Sequence, residues 1–164
     1  MAVINFLLIV VFAALFSILF FNSKVKGIIA LSTIAIIASA STYISIGALT
    51  GSAYELNFAG TDLFGPVLLK IDALSAWFIL TINFTIITGA IYGFNYMKRY
   101  SERKSDITLH CIAIVLAHFT LLGICSVQNG FVFLLLWELM AISMFVLVIF
   151  DHHKPDTIKA GINY

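Results

Sequence analysis

The stretch from Ile107 to Phe150 constrains the fold more than any other part of the sequence. Its 44 residues contain a single Asp, Glu, Lys or Arg, which is Glu138. A helix needs about 20 apolar residues to cross the hydrocarbon core of a bilayer, so this stretch is long enough to cross it twice. The polar triplet Gln128-Asn129-Gly130 is the natural place for a reversal. The sequence therefore predicts two membrane-spanning helices, at about 107–126 and 130–150.

The composition of the whole chain agrees with a membrane protein. Of its 164 residues, 62% are hydrophobic and 10% are charged, with a mean hydropathy of +1.08, whereas soluble domains are about half apolar. Three further apolar runs, at about 2–21, 28–49 and 73–95, predict three more spans, and an apolar segment from 157 begins a sixth. We expect an all-α integral membrane protein with about five transmembrane helices plus the start of a sixth. Residues 1–164 would form the N-terminal part of one polytopic membrane domain.

The segment between the second and third spans differs from the other connections. Gly51, Gly60, Gly65 and Pro66 punctuate two short runs, 54–58 and 67–71, that favour strands over helices. The sequence therefore predicts a short β-hairpin-like loop between the second and third helices. Asp72 directly precedes the third span, where a carboxylate can cap the helix and interact favourably with its dipole, so we predict a structural cap.

Lys and Arg are unevenly distributed among the connections. The first connection contains two Lys or Arg residues, the second one, the third four, the fourth none, and the fifth one with a second just beyond it. Because short cytoplasmic loops of membrane proteins are enriched in Lys and Arg, the odd-numbered connections are predicted to face the cytoplasm. We expect a multi-pass protein of the inner cytoplasmic membrane, with the N-terminus and the hairpin-like loop facing outward. The basic residues of the odd connections are Lys24, Lys26, Lys98, Arg99, Arg103, Lys104 and Lys154, with Lys159 just beyond.

Glu138 is the first candidate for a proton-transfer residue. It lies eight residues after Gly130, which at 1.5 Å per residue is about 12 Å into a hydrocarbon core roughly 30 Å thick. A carboxyl at that depth is costly, and its protonation responds strongly to nearby charge, which is what a proton relay requires. The alternative is a neutral Glu138 that hydrogen-bonds to a neighbouring helix and serves only to hold the helices together.

His118 is the second candidate, because it lies near the middle of the fourth span and imidazole changes its charge near neutral pH. A neutral His118 bonded to a Ser or a backbone carbonyl explains the residue equally well. The other histidines, His110, His152 and His153, lack the spacing of metal ligands, so we expect no metal site. The cysteines form no haem or iron–sulfur motif, so we expect no cofactor. A net charge of +1 without a basic face argues against binding to nucleic acid.

Three stretches together resemble a known family. They are IDALSAWF (71–78), FLLLWELM (133–140) and KAGINY (159–164). In this order they resemble the antiporter-like, proton-translocating membrane subunits shared by respiratory complex I, membrane-bound hydrogenases and multisubunit cation/proton antiporters. The first stretch looks closest to the hydrogenase-4 and formate hydrogenlyase branch. The resemblance covers only the N-terminal portion of such subunits.

The resemblance implies that Glu138 belongs to the proton path and pairs with a lysine on a later helix that this chain does not contain. It implies other membrane subunits as partners and, through them, redox subunits, so that energy reaches Glu138 as an electrostatic bias. The leading hypothesis is a proton-translocating subunit of a redox-driven oxidoreductase complex, hydrogenase-4-like or NADH-quinone oxidoreductase-like, with no redox centre of its own. One alternative is a subunit of a multisubunit Na⁺/H⁺ antiporter. Another is a structural membrane scaffold or a non-functional fragment.

Overall fold

The computed structural model of the chain describes residues 2–61, 65–100, 102–151 and 154–163. His152, His153 and Tyr164, which the sequence analysis considered, lie outside these ranges. The described residues form helices linked by short turns, with one pair of strands between the second and third helices. In chain order these are α1 (Ala2–Phe20), α2 (Ser23–Leu49), β1 (Tyr54–Thr61), β2 (Gly65–Ile71), α3 (Ala73–Met97), α4 (Lys104–Ser126), α5 (Gly130–Val148) and α6 (Pro155–Ile162).

Four helices of the described chain are long and apolar enough to cross a membrane: α2, α3 with the 3-10 turn Lys98–Tyr100 that follows it, α4 and α5. The predicted helical membrane fold with a small hairpin is thus confirmed. The apolar part of α1, Asn5–Phe20, is shorter, so the first span stays a prediction, as does the orientation of the chain. Helix α6 begins two residues before its predicted start, because proline is well tolerated in the first turn of a helix.

Helix α2 begins earlier than the sequence predicted. The polar residues 22–27 were expected to form a turn, but the helix already starts at Ser23, with Asn22 in an extended conformation before it. Lysine is a good helix former and a single glycine is tolerated, so the composition of this segment does not prevent a helix. A Cβ on Gly27 would lie 2.8 Å from the ring of Phe94. Glycine at this position therefore allows α3 to pack closely against the first turns of α2.

Helices α2, α3 and α4 contact one another and form the centre of the bundle, while α1 packs on α2 and α4. Their shared core includes the fully buried side chains of Ile34, Ile37, Ile79 and Val115. Helix α5 packs mainly on α4, with α6 beside it, and its one fully buried residue among those described is Ser143. Most of the surface of α5 therefore faces away from the bundle.

The two strands form an antiparallel hairpin, with Tyr54 opposite Ile71 and Phe58 opposite Val67. The register becomes irregular between Phe58 and Thr61. Here Gly60 has a φ of +69°, and a Cβ at this position would overlap the carbonyl oxygen of Gly65. Only glycine readily adopts this positive φ and leaves room for the carbonyl oxygen of Gly65. Glycine at position 60 is therefore required by the conformation of the hairpin.

The hairpin is bonded to the turn between α4 and α5. The backbone N–H of Gln128 donates to the carbonyl oxygen of Leu68 at 2.8 Å, and the side-chain amide of Asn129 donates to the carbonyl oxygen of Pro66 at 3.2 Å. Asn129 also caps α5 by accepting from the N–H of Val132. The reversal predicted at this turn is confirmed. We call this end of the bundle, at residues 49–61, 65–73 and 126–130, the hairpin end. The opposite end, at residues 23, 97–100 and 102–104, is the basic end.

Candidate functional site

A buried polar cluster lies inside the bundle, where α2, α3 and α4 meet. The Nε2 atom of His118 is 2.9 Å from Oδ1 of Asn83, and both side chains are almost fully buried. The amide nitrogen of Asn83 donates to Ser41 Oγ at 2.8 Å, to Thr42 Oγ1 at 3.0 Å and to the carbonyl oxygen of Ala38 at 3.2 Å. Asn83 therefore links all three central helices through hydrogen bonds.

The hydrogen bonds of the cluster fix the role of each atom. Because the amide nitrogen of Asn83 faces three acceptors on α2, its Oδ1 must be the atom that faces His118, and an amide oxygen can only accept. The Nε2 atom of His118 must then carry the hydrogen and donate it. Nδ1 is left to accept a proton or a hydrogen bond, and within the described chain it has no partner.

Ser45 adds a second free polar atom near this level of α2. Its side chain is fully buried, one helical turn from Ser41, and within the described residues its Oγ has no hydrogen-bond partner. Buried polar groups usually are hydrogen-bonded, and unpaired ones are often associated with function. The cluster thus contains one titratable ring and at least one free hydroxyl, which is the chemistry needed to hold a proton or an ordered water.

Glu138 lies on the opposite side of α5 from the rest of the bundle. Its side chain is exposed, and the same face of the helix carries Leu134, Leu135 and Ile142, which are 61%, 54% and 58% exposed. The side of α5 that packs on α4 includes Leu136, which lies against Gly123. No hydrogen bond or ion pair involving Glu138 occurs among the described residues. The inward neighbour that a proton relay needs is therefore not provided by the described part of this chain.

The two predicted proton-transfer residues, His118 and Glu138, lie at the same depth along their helices but do not form one site. His118 lies eight residues before Ser126, the end of α4, and Glu138 lies eight residues after Gly130, the start of α5. At 1.5 Å per residue each is about 12 Å from the hairpin end. His118 nevertheless faces α3, while Glu138 faces outward, and no contact joins them in the described chain. The role of each in proton transfer stays a prediction.

Asp72 lies at the predicted capping position of α3. Its carboxylate accepts a hydrogen bond from the backbone N–H of Ser75 at 2.9 Å, and its own backbone is extended. This hydrogen bond is the main reason that the pKa of Asp72 lies below its ordinary value of 3.8, and the charge of Lys70 lowers the pKa further. Asp72 is thus a structural residue at the hairpin end of the bundle.

Substitution of Asp72 should destabilise the protein in a pH-dependent way. A carboxyl whose pKa is lowered by folding stabilises the fold above its unfolded pKa, and this contribution is lost as the pH falls through the folded value. We expect Asp72→Ala to lower the Tm near pH 7 and the difference from wild type to shrink below pH 3.8. Asp72→Asn keeps an oxygen acceptor and should lower the Tm less. An Asp72→Ala difference that is equal at both pH values would contradict this role.

Asn83 is the residue of the cluster that the sequence analysis missed. The sequence signal was an amide side chain in the middle of the third apolar span, where polar residues are rare. The alternative to a relay role for His118 named a Ser or a backbone carbonyl as its hydrogen-bond partner, whereas its Nε2 is bonded to the amide oxygen of Asn83. Ser41, one of several small residues on α2, accepts a hydrogen bond from Asn83.

Comparisons with known proteins find relatives that match part of the chain. The chain is 29% identical over 107 residues to Hydrogenase-4 component B of Escherichia coli (strain K12), a match that covers 65% of the chain. It is 26% and 29% identical, over 54% of its length, to the proteins described as antiporter subunit mnhA2 in Staphylococcus saprophyticus and Staphylococcus aureus (strain MRSA252). The chain is similar to antiporter-like membrane subunits. No protein-family model matches it.

The predicted resemblance is confirmed at this level. The matched part of the chain spans 16% of Hydrogenase-4 component B and 11% of each of the two mnhA2 proteins. These relatives are described as a component of Hydrogenase-4 and as antiporter subunits. Together with several apolar helices, they indicate a multi-pass membrane protein.

Proposed function

We propose that this chain is part of a proton-translocating membrane subunit of a redox-driven complex, hydrogenase-4-like or NADH-quinone oxidoreductase-like. The observation that carries the proposal is the place of Glu138, a single carboxyl near the middle of an otherwise apolar helix in a chain similar to Hydrogenase-4 component B. Ionisable residues at such depths are rare and commonly belong to proton or ion pathways. Electron transfer would occur in partner subunits.

Because the side chain of Glu138 is exposed, we infer that another helix or subunit covers this face of α5. Placing a carboxyl among lipid tails costs roughly several kcal/mol of free energy, and no hydrogen bond or opposite charge there compensates for it. The apolar residues around it, Leu134, Leu135 and Ile142, form a surface on which another helix can pack. A helix that brings a lysine to the level of Glu138 would pair with the carboxylate and control its protonation. The relatives extend far beyond the matched part of this chain and have room for such a helix.

His118 is the second protonation site in this proposal. It is fully buried in the centre of the bundle at the depth of Glu138, and its Nδ1 is free to take a proton within the described chain. Asn83 Oδ1 remains bonded to the N–H at Nε2 in either charge state, because that nitrogen donates in both. The ring can thus gain and lose a proton at Nδ1 without breaking the link between α3 and α4.

The mnhA2 relatives favour a second candidate, a subunit of a multisubunit Na⁺/H⁺ antiporter. For either candidate we propose a location in the inner membrane with the N-terminus outward, because Lys and Arg are concentrated in the odd-numbered connections. The two candidates differ in the coupling ion. The complete complex that contains this chain, reconstituted in liposomes, should be supplied with either a redox substrate or a Na⁺ gradient. Proton uptake that follows electron transfer and ignores Na⁺ supports the redox-driven candidate. Proton flux that needs Na⁺ and no electron donor supports the antiporter and overturns the leading proposal.

A further inference from the structure

A cavity of about 400 Å³ opens at the basic end of the bundle, between the start of α2, the end of α3 and the start of α4. This volume is within the range of about 300–1,000 Å³ that is usual for ligand sites. Ile28 lines the cavity and is 53% exposed, so the cavity reaches the surface of the bundle. The body of the cavity is apolar, formed by side chains that include Ile28, Leu31, Ile34, Ala90, Phe94 and Ile114.

The entrance of this cavity is positively charged. Lys24, in the first turn of α2, and Lys98, directly after α3, both line it, and its described lining contains no Asp or Glu. The ammonium group of Lys98 lies 4.9 Å from the centroid of the Phe94 ring and is bonded to Oδ1 of Asn95 at 2.8 Å, which holds this charge at the rim. The cavity therefore combines an apolar interior with two cations at one end.

Two polar groups on the wall of the cavity lack partners within the described residues. They are Oγ of Ser23 and Nδ1 of His110, both shielded from solvent. Ser23 is also the first residue of α2, where in the described chain no side chain caps the helix. The free N–H groups of a helix start attract anions. These donors lie beside Lys24, so they would add to its attraction for a negatively charged group.

Lys26 is a buried cation beside the cavity that has no carboxylate partner in the described chain. It is 7% exposed, and its ammonium group donates to Oγ1 of Thr108 across the interface of α2 and α4. A buried charge is costly unless an opposite charge balances it. By contrast, Arg103 and Lys154 at the same end share Asp151 as a counter-ion, and these two cations hold the pKa of Asp151 below its ordinary value. Lys24, Lys26 and Lys98, in contrast, have no ion pair within the described residues, so the charge beside the cavity is not balanced there.

We propose that this cavity binds one anionic phospholipid, with an acyl chain among the apolar residues between α2, α3 and α4 and the phosphate at Lys24 and Lys98. The charge of the rim selects the anionic headgroup, and the apolar interior requires a chain rather than a free anion. Basic pockets between transmembrane helices are a recognised form of lipid site. The predicted topology places the basic end in the cytoplasmic leaflet, where such a headgroup would lie at the level of the rim.

The test uses the complete protein in nanodiscs of phosphatidylcholine with a minor fraction of phosphatidylglycerol. After extraction into mild detergent, native mass spectrometry counts the lipids that remain bound. Wild type should retain one phosphatidylglycerol. Lys24→Gln with Lys98→Gln should weaken retention about thirtyfold, because each lysine near an anionic headgroup contributes roughly fivefold. Excess inorganic phosphate should not displace the lipid.

The matched control is Lys104→Gln with Lys159→Gln. It removes two positive charges from exposed positions that do not line the cavity, and it should leave retention unchanged. All four lysines are exposed, so we expect both double variants to fold like the wild type. Leu31→Trp, which fills the apolar interior without changing charge, should also abolish retention. Equal retention in the Lys24/Lys98 variant and the control, equal retention of phosphatidylcholine, displacement by phosphate, or no retained lipid in wild type would each overturn the proposal.

Discussion

Replacement of Glu138 by glutamine should abolish proton translocation by the complete complex while electron transfer or ion binding in the partner subunits continues. Glutamine keeps the size and hydrogen-bonding capacity of the side chain but cannot exchange a proton near neutral pH. Positioned proton-transfer groups typically accelerate their step by about 100-fold or more, so a loss of this size is expected. The measurement is the initial rate of internal acidification in liposomes that contain the complex, read with a pH-sensitive dye.

Two further variants separate titration from other effects of the substitution. Glu138→Asp keeps a carboxyl that is one methylene shorter, and we expect it to retain part of the rate. Glu102→Gln makes the same chemical change in the connection between α3 and α4, outside the apolar spans, and should translocate protons normally. Wild-type translocation by Glu138→Gln would show that the carboxyl only holds helices together and would favour the scaffold hypothesis.

Replacement of Asn83 by alanine should produce the largest loss of stability of any single polar substitution in the bundle. Asn83 is the residue through which α3 is hydrogen-bonded to both α2 and α4. We expect a cost of about 2–4 kcal/mol, since interhelical hydrogen bonds in membranes contribute about 0.6 kcal/mol each and an unpaired buried donor costs about 1–3 kcal/mol. The unpaired donor would be Nε2 of His118. Unfolding of the purified complete protein in detergent mixtures measures the change.

Asn95→Ala is the matched control for this substitution. It removes the same type of side chain from the same helix at an exposed position. Among the described residues its amide nitrogen bonds to Ile91 in the preceding turn and its amide oxygen to the exposed Lys98, so it links no second helix, and we expect a cost of less than about 0.5 kcal/mol. In a double-mutant cycle with His118→Ala, the double variant should lose less stability than the sum of the two single variants, because the two side chains share one hydrogen bond. The absence of coupling, or equal costs at Asn83 and Asn95, would show that the cluster does not hold the helices together.

The sequence predicted the fold well because the bilayer limits what an apolar chain can do. Runs of about 20 apolar residues must form helices that satisfy their own backbone, so α2 to α5 could be placed from composition alone. The hairpin was recognisable because glycine is needed where φ is positive, as at Gly60 and Gly65. The start of α2 was misplaced because Lys24, Lys26 and Gly27 are as compatible with a helix as with a turn.

The candidate site was less predictable, since it depends on which face of each helix meets which neighbour. Depth along a helix follows from counting residues, and Glu138 and His118 were both placed near mid-span in this way. The direction of each side chain depends on rotation about the helix axis, and an apolar helix such as α5 has no polar side that would indicate it. The partnership between Asn83 and His118 joins residues 35 positions apart on different helices, so a single sequence could not reveal it.

The backbone bond between Gln128 and Leu68 bears on how the bundle can deform. It connects the turn between α4 and α5 to β2, the strand that precedes α3. The ends of α3, α4 and α5 are therefore held together at the hairpin end. At the other extremity the 400 Å³ cavity separates the ends of α2, α3 and α4. If α4 and α5 tilt, we therefore expect them to pivot at the hairpin end. The largest displacements of these helices would then occur at the basic end, near Lys24 and Lys98. Glu138, in the middle of α5, would be displaced by an intermediate distance.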